Sequence, residues 1–185
     1  ESTVLNVKGV VQVVEILDGV AVIAEKFWQA KRGADALHIE FSGGKSQGLD
    51  DPKLEQQLTE ALDNLGKAEI VGDKTLDVEY FLPCLARATM EPMNCTADVR
   101  SDRCEDWVPT QFPEVVRDKA AEITGLEPEQ VTLHTTYLGG GFGRRGWDFA
   151  VQAIQASEAV GRPVKLIWTR EEDTQHDFYR PAYKL

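Results

Sequence analysis

The chain has 185 residues and 42% hydrophobic content, enough for one domain with a real core or for two small ones. Its formal net charge of −11, with acids spread along the whole sequence, argues against a surface for nucleic acids or anionic membranes. No apolar run approaches the ~20 residues of a membrane-spanning helix. The three cysteines form no Cys-x-x-Cys pair and the three histidines are scattered, so we predict no disulfide framework, no iron–sulfur site and no metal ligated by side chains.

Residues 1–70 predict a small ββαβα unit. Its expected elements are, in order, a strand over 10–17, a hairpin turn at Asp18-Gly19, a strand over 20–25, a helix over 27–37, a short strand over 38–41, and a helix that begins after Asp50 and ends at Gly66. The last helix has an acidic cap and Pro52 in its first turn. It carries leucines on one face, which we expect to be buried against a sheet: Leu54, Leu58, Leu62 and Leu65.

Residues 71–185 predict a mixed α/β two-layer unit, so the chain as a whole is assigned to the α+β class. The expected elements are strands over 76–82 and up to Val99, an extended segment over 107–111, a helix over 113–124 closed by Gly125, a strand over 131–138, a helix over 147–160 closed by Gly161, and a strand over 163–169. The last strand, helix and strand form a βαβ unit with a glycine-rich turn after its first strand. Ligands commonly bind at such a turn.

The glycine-rich turn over 138–146 is the most informative segment. Five of its nine residues are glycine, so its backbone can approach another group closely. It delivers Arg144 and Arg145 to the start of a helix, where cations are unfavourable by about 0.3–1 kcal/mol each unless something negative binds. Asp148 offsets part of this charge. The segment therefore predicts an anion cradle, with a tight turn bearing solvent-facing arginines as the alternative.

The same segment matches a dinucleotide fingerprint in form, because Gly141, Gly143 and Gly146 follow the Gly-x-Gly-x-x-Gly spacing between a strand and a helix. Bulky arginines stand where the closest approach to a pyrophosphate would occur. The sequence also has too few residues after the second strand to complete a nucleotide-binding half. A dinucleotide-binding βαβ unit is therefore the weaker interpretation.

The motifs resemble a known family. They are Gly139-Gly140-Gly141-Phe142-Gly143, the upstream Val108-Pro109-Thr110-Gln111, the downstream Gly161-Arg162-Pro163-Val164 and the segment over 169–173. Together they resemble the molybdopterin-binding large subunit of the xanthine dehydrogenase and aldehyde oxidase family. Arg144-Arg145, the segment 88–97 and Phe178-Tyr179-Arg180-Pro181 are similar to its isoquinoline 1-oxidoreductase-like branch, which includes membrane-associated aldehyde dehydrogenases.

The resemblance implies hydroxylation of an N-heterocycle or aldehyde with oxygen taken from water. The cofactor would be molybdopterin, in its cytosine dinucleotide form, with the metal held by the pterin dithiolene. The implied cofactor-binding residues are Gly139, Gly140, Gly141, Phe142, Gly143, Arg144 and Gln111. Backbone N–H groups around Phe142 would contact the cofactor, and Met90-Glu91 is a weaker candidate for the cavity. Residues 1–70 would be the end of a small hammerhead-like domain, and 71–185 the first part of the cofactor domain.

Large subunits of this family are several times longer than 185 residues, so the sequence is interpreted as a fragment that would be inactive alone. Its general-base glutamate is expected outside this chain, and no catalytic residue is assigned within it. Expected partners are the remainder of the large subunit, an iron–sulfur subunit or cytochrome that accepts electrons, and a small-molecule substrate. The compartment stays open, with a periplasmic or membrane-associated parent compatible with this branch. A non-catalytic interaction or structural module on the same scaffold is the competing function.

Overall fold

The computed structural model describes residues 2–17, 19–40, 42–66, 72–74 and 76–185. The chain forms two compact units. The larger unit comprises Glu1–Ile39 and Ala88–Asp177, and the smaller unit comprises Glu40–Arg87 and Phe178–Leu185. Each compact unit contains segments from both sides of residue 70, so the two units do not coincide with residues 1–70 and 71–185. The domain boundary expected at 70/71 stays a prediction. In the described part of the chain, no helix combines the length and apolar character needed to cross a bilayer.

The larger unit begins with a short helix and a hairpin. Helix α1 (Ser2–Leu5) precedes strands β1 (Val10–Ile16) and β2 (Gly19–Ala24), which pair antiparallel, with Ile16 opposite Gly19. The predicted hairpin is therefore present, although Asp18 of its turn lies outside the described residues. Helix α2 (Phe27–Asp35) follows and contacts both strands of the hairpin.

Helix α3 (Asp51–Asn64) of the smaller unit starts where its cap signals predict. The Asp50 carboxylate accepts a hydrogen bond from the Lys53 N–H (3.0 Å), and Gly66 takes a positive φ of 79° just past the helix end. The expected burial of its leucine stripe is wrong: no residue of α3 is fully buried, and Leu65 is 81% exposed. The helix packs against strand β8 (Tyr183–Lys184) of a short two-stranded sheet, which is too small to cover it.

The two strands of that sheet are short. Strand β3 (Phe81–Leu82) pairs antiparallel with β8 (Tyr183–Lys184), and Leu85 forms an isolated bridge with Arg180. The predicted strand over 76–82 is therefore reduced to its last two residues among the described ones. The predicted strand over 38–41 is absent at residues 38–40, and Phe41 lies outside the described residues.

A four-stranded sheet forms the core of the larger unit. Its strands are β4 (Asn94–Val99), β5 (Cys104–Val108), β6 (Val131–Thr135) and β7 (Val164–Ile167), in the spatial order β6-β5-β4-β7. β4 runs antiparallel to both β5 and β7, while β5 and β6 are parallel. Helices α4 (Pro113–Thr124) and α5 (Asp148–Val160) pack against this sheet, and a short helix α6 (Arg170–Gln175) follows β7.

Both long helices of this unit end as their glycines predict. Gly125 closes α4 and Gly161 closes α5, each in the left-handed conformation. The predicted βαβ unit also exists, because β6 and β7 run parallel and α5 connects them. However, they occupy opposite edges of the sheet with two strands between them. A dinucleotide-binding half places its parallel strands side by side, so this order does not match that alternative.

Helix α5 is buried on most of its circumference, as its composition predicts. It contacts β4, β5 and β7 of the sheet, and it also contacts both strands of the hairpin. The Leu17 N–H donates to Gln155 Oε1 (3.0 Å) across this contact. Its fully buried apolar residues include Phe149, Ala150, Ala153 and Ile154. The glycine-rich turn at its N-terminus is thus attached to the best-packed element of the larger unit.

One carboxylate lies inside this core. Asp106 of β5 faces the helices and is fully buried, and Cys104 Sγ lies 3.5 Å from its Oδ2. No side chain or backbone group among the described residues hydrogen-bonds its Oδ1. Burial raises the pKa of Asp106 from the ordinary 3.8 to about 7, because a charge there would lose its hydration, and the thiol hydrogen bond opposes the shift. Burial also raises the pKa of the neighbouring Cys95 thiol.

Candidate functional site

The glycine loop, residues 139–143, has an unusual backbone. Gly140 and Gly143 have φ values of 94° and 79°, and the non-glycine residue Phe142 has a φ of 53°. A left-handed conformation costs a non-glycine residue about 1–2 kcal/mol, so the surroundings must hold Phe142 in place. The Phe142 side chain is 62% exposed and contributes little to that hold. The conformation is therefore imposed by contacts on either side of the loop.

The glycine loop leaves a row of backbone N–H donors without partners among the described residues. The N–H groups of Gly139 and Gly143 donate to side chains, and that of Arg144 donates to Gly141 O (2.8 Å). Between them, the N–H groups of Gly140, Gly141 and Phe142 donate to no acceptor in the described part of the chain. Consecutive N–H groups in such a turn form a concave site for an electronegative group. This row is the feature of the loop that can bind a ligand.

Gln111 holds one side of the loop. Its Oε1 accepts from the Gly143 N–H (2.9 Å), and its backbone N–H donates to Arg145 O (2.9 Å). A Cβ built on Gly141 would lie 2.6 Å from Gln111 Oε1, so position 141 has to be glycine while the amide stays there. The Gln111 Nε2 donates to no acceptor among the described residues and remains free for a ligand. Thr110 supports the same segment, because its Oγ1 donates to Gly146 O (2.8 Å).

Arg144 does not face an open cradle. Its side chain is fully buried and forms a two-pronged pair with Asp148 (both contacts 3.1 Å). Its Nε lies 2.7 Å from Asp177 Oδ1, and its guanidinium lies 5.2 Å from the ring centre of Trp168. The negative partner that the start of α5 requires is thus supplied by the protein. Direct binding of a cofactor by Arg144, which the sequence predicts, is not what these contacts favour.

Arg145 is also buried and contacts backbone on three sides. Its Nε donates to Gly140 O (2.8 Å), and its NH2 group donates to the backbone oxygen of Glu91 and lies 2.9 Å from Glu91 Oε2. A longer contact reaches Pro109 O (3.5 Å). Burial lowers the pKa of Arg145, while the nearby Glu91 carboxylate opposes that shift. The solvent-facing arginines of the alternative interpretation are therefore wrong for both positions.

The structure brings the sequence-predicted residues together around one loop. Gln111 lies beside Gly141 and Gly143, although they are about thirty positions apart in the chain. Asp177 and the Glu91 side chain complete the arrangement as supports that the sequence does not predict. The sequence suggests Glu91 only for the cavity, and it offers no local signal that links Asp177 to Arg144. Spatial neighbours so distant in sequence cannot be deduced from spacing alone.

This loop fits a pterin-type group on two observations. The unpartnered N–H groups at 140–142 are donors for the electronegative atoms of such a group. Gly140 leaves space beside its Cα, since a Cβ built there would meet no atom closer than 3.6 Å, so a planar ligand can approach the backbone at this position. In the described part of the chain, no cluster of histidine, cysteine or carboxylate side chains is arranged to hold a metal ion.

Comparison with known proteins also indicates a molybdopterin-binding domain. Residues 63–185 match the model of the molybdopterin cofactor-binding domain. The chain is 41% identical over 98 residues to isoquinoline 1-oxidoreductase subunit beta of Brevundimonas diminuta, which covers 52% of the chain and 12% of the relative. It is 30% identical over 175 residues to the membrane-bound aldehyde dehydrogenase of Gluconacetobacter polyoxogenes, which covers 87% of the chain and 23% of the relative.

The fold is shared with a solved structure. The aldehyde oxidoreductase of Desulfovibrio gigas superposes with a TM-score of 0.64 at 17% identity, over 99% of this chain and 26% of that one. The chain spans less than a quarter of the length of each of the two curated relatives. Since the family model matches about two thirds of its residues, this chain belongs to the molybdopterin cofactor-binding domain family of the xanthine dehydrogenase and aldehyde oxidase type.

Proposed function

We propose that this chain supplies a pterin-contacting loop to the large subunit of a molybdenum-dependent hydroxylase or dehydrogenase. The observation that carries the proposal is the row of unpartnered N–H groups at Gly140, Gly141 and Phe142. The match to the cofactor-binding domain supports it. The domain assignment, with 1–70 ending a small domain and 71–185 beginning the cofactor domain, is supported by a family match that starts at residue 63.

The residues in and around the loop would have different roles. The backbone N–H groups of 140–142 and the free Nε2 of Gln111 would bind the pterin part of the cofactor and fix its orientation. Gly139 and Gly143 donate to protein side chains and so fix the loop. Arg144 anchors the loop to α5 through Asp148 and keeps its charge away from solvent. When bound, the molybdenum cofactor, for which we propose the cytosine dinucleotide form, would supply two-electron oxidation chemistry.

We base the proposed substrate class on the named relatives. One is an isoquinoline oxidoreductase and another an aldehyde dehydrogenase, so we assign an N-heterocycle or an aldehyde to the complete protein. The general base would lie in the remainder of the large subunit, and the chain alone would be inactive. The isoquinoline 1-oxidoreductase relative is one subunit of its enzyme. We propose, from the family resemblance, that an iron–sulfur subunit or a cytochrome accepts the electrons.

The test uses two glycines that both have a positive φ. Gly140→Ala and Gly125→Ala both place a Cβ at a positive φ (94° and 68°), and neither Cβ meets an atom closer than 3.6 Å. Each should cost about 1–2 kcal/mol of conformational energy. In the complete protein that contains this segment, Gly140→Ala should lose most of its molybdenum and pterin content, measured by mass spectrometry of the metal and fluorescence of the oxidised pterin. Gly125→Ala should retain both.

Two results with these variants would contradict the proposal. A folded Gly140→Ala protein with the molybdenum and pterin content of the unmodified protein would show that the loop is only a turn. Equal losses in both variants would show that backbone strain, and not the site, controls cofactor content.

A further inference from the structure

The segment that carries Glu91 meets the glycine loop through a second set of contacts. The Glu91 Oε2 accepts from the Gly139 N–H (2.8 Å), and Glu91 Oε1 accepts from Asn94 Nδ2 (2.8 Å). The backbone is tied as well, since the Glu91 N–H donates to Gly139 O (3.1 Å). A Cβ on Gly139 would lie 2.4 Å from the Glu91 Cβ, so the first glycine of the loop is required by this glutamate.

Arg145 closes the same arrangement from the other side. Its buried guanidinium joins three backbone segments: the loop at Gly140, the segment before α4 at Pro109, and Glu91. Its charge is balanced by the Glu91 carboxylate 2.9 Å away. A buried charge without a partner is strongly unfavourable, so the ion pair and the three backbone contacts form or are lost together.

We infer that Glu91 and Arg145 are positioning residues that hold the glycine loop in its ligand-ready shape before any cofactor arrives. The role of the loop in binding a cofactor rests on the proposed function. The contacts by which Glu91 and Arg145 hold the loop do not depend on it. The pair fixes Gly139 N–H and Gly140 O, the two groups that bracket the start of the unpartnered donor row. A loop held in advance loses less conformational entropy when a ligand binds. Both Glu91 carboxylate oxygens and the Nε and NH2 groups of Arg145 already contact protein groups, so we assign the two residues to positioning of the loop and not to ligand contact.

The experiment measures amide hydrogen exchange at Gly139 in the cofactor-free 185-residue chain. Glu91→Ala removes the acceptor and should speed exchange at this amide at least about tenfold, as expected for loss of a charge-assisted hydrogen bond. Glu91→Gln keeps a side-chain oxygen that can accept from the Gly139 N–H but removes the charge that balances Arg145, so exchange at Gly139 should be slower than in Glu91→Ala and faster than in the unmodified protein. Arg145→Met should speed exchange at Gly139 and at Glu91, the two hydrogen-bonded amides that join these segments, by a similar factor.

The matched control is Asp98→Ala. Like Glu91, Asp98 is a partly buried carboxylate in contact with an arginine, since Arg100 Nε lies 2.6 Å away. Asp98 lies near the end of β4, whereas Glu91 precedes the start of that strand. It should change global stability without changing exchange in the glycine loop. Unchanged exchange at Gly139 in Glu91→Ala would overturn the inference, and so would equal acceleration in Asp98→Ala or exchange in Glu91→Gln as fast as in Glu91→Ala. Because no cofactor is present, these outcomes are independent of the molybdenum measurement on Gly140→Ala.

Discussion

The larger and the smaller unit differ strongly in how far their apolar side chains are buried. The larger unit contains every fully buried apolar side chain of the described residues, including a continuous core between the four-stranded sheet and helices α4 and α5. In the smaller unit, the leucines at 54, 58 and 62 are only partly covered, although their periodicity is as regular as that of any core helix. Amphipathic spacing thus specifies a helix and its face, but the depth of burial depends on the surface opposite it.

The largest expected effect compares one truncation in each unit. Ile154→Ala in the fully buried part of α5 should lower the free energy of unfolding by about 2–5 kcal/mol, because it leaves a cavity in a close-packed core. Leu58→Ala in α3 should cost about 1 kcal/mol, because a half-buried side chain loses less transfer energy. Urea titration followed by tryptophan fluorescence measures the effect of Ile154→Ala, since all four tryptophans lie in the larger unit. Hydrogen exchange in α3 measures the effect of Leu58→Ala. Equal costs would remove the contrast between the units.

The second effect concerns the carboxylate inside the larger unit. The folded state keeps Asp106 protonated up to its pKa of about 7, whereas the unfolded chain releases that proton near 3.8. The folded state therefore binds more protons between these values, so the contribution of this group to stability is full below about pH 4 and falls as the pH rises through 7. We expect a loss of about 2 kcal/mol between about pH 5 and about pH 7 from this group.

Asp106→Asn should remove that part of the pH dependence. The measurement is urea unfolding of the larger unit at a series of pH values. Glu79→Gln serves as the control, because Glu79 is an exposed carboxylate of the smaller unit that pairs with Lys184 (3.0 Å). The hypothesis fails if Asp106→Asn and the unmodified protein show the same slope.

The smallest effect should be confined to the smaller unit. Asp50→Ala removes the side chain that accepts from the Lys53 N–H, and loss of such a cap costs about 1 kcal/mol. Amide exchange in α3 should quicken several-fold, while the fluorescence transition of the larger unit stays unchanged. Asp63→Asn is the control, because an acid in the last turn of a helix interacts unfavourably with the helix dipole. A shift of both transitions by Asp50→Ala would mean that the two units unfold together.

Local signals account for the parts of this fold that the sequence predicts well. Pro113 and Gly125 bound α4, and Gly161 ends α5, because caps act within one turn of the helix they close. Strands are predicted less well: β6 ends at Thr135 and not at residue 138, since a strand extends only as far as its partner. The position of a strand end is set by a neighbour that the local pattern does not contain.

The site shows the same division. The glycine-rich composition places the loop between β6 and α5, and the family resemblance adds Gln111. The orientation of the arginines is not predictable, because it depends on Asp177 and Glu91, which lie more than thirty positions away in the chain. The helix dipole indicates the need for an anion near Arg144 but does not distinguish a ligand from a carboxylate of the same chain.

The packing of the hairpin on α5 has a consequence for the order of folding. The contact between Leu17 and Gln155 spans 138 positions, and synthesis at about 5–20 residues per second separates the two by roughly 7–28 s. A two-stranded hairpin is at best marginally stable by itself. Helix α2 follows the hairpin directly and contacts both of its strands, but the surface of β1 and β2 that packs on α5 stays exposed until α5 is synthesised. During that interval the nascent chain is a natural client for a chaperone, and a slower ribosome over residues 25–150 would lengthen the exposure.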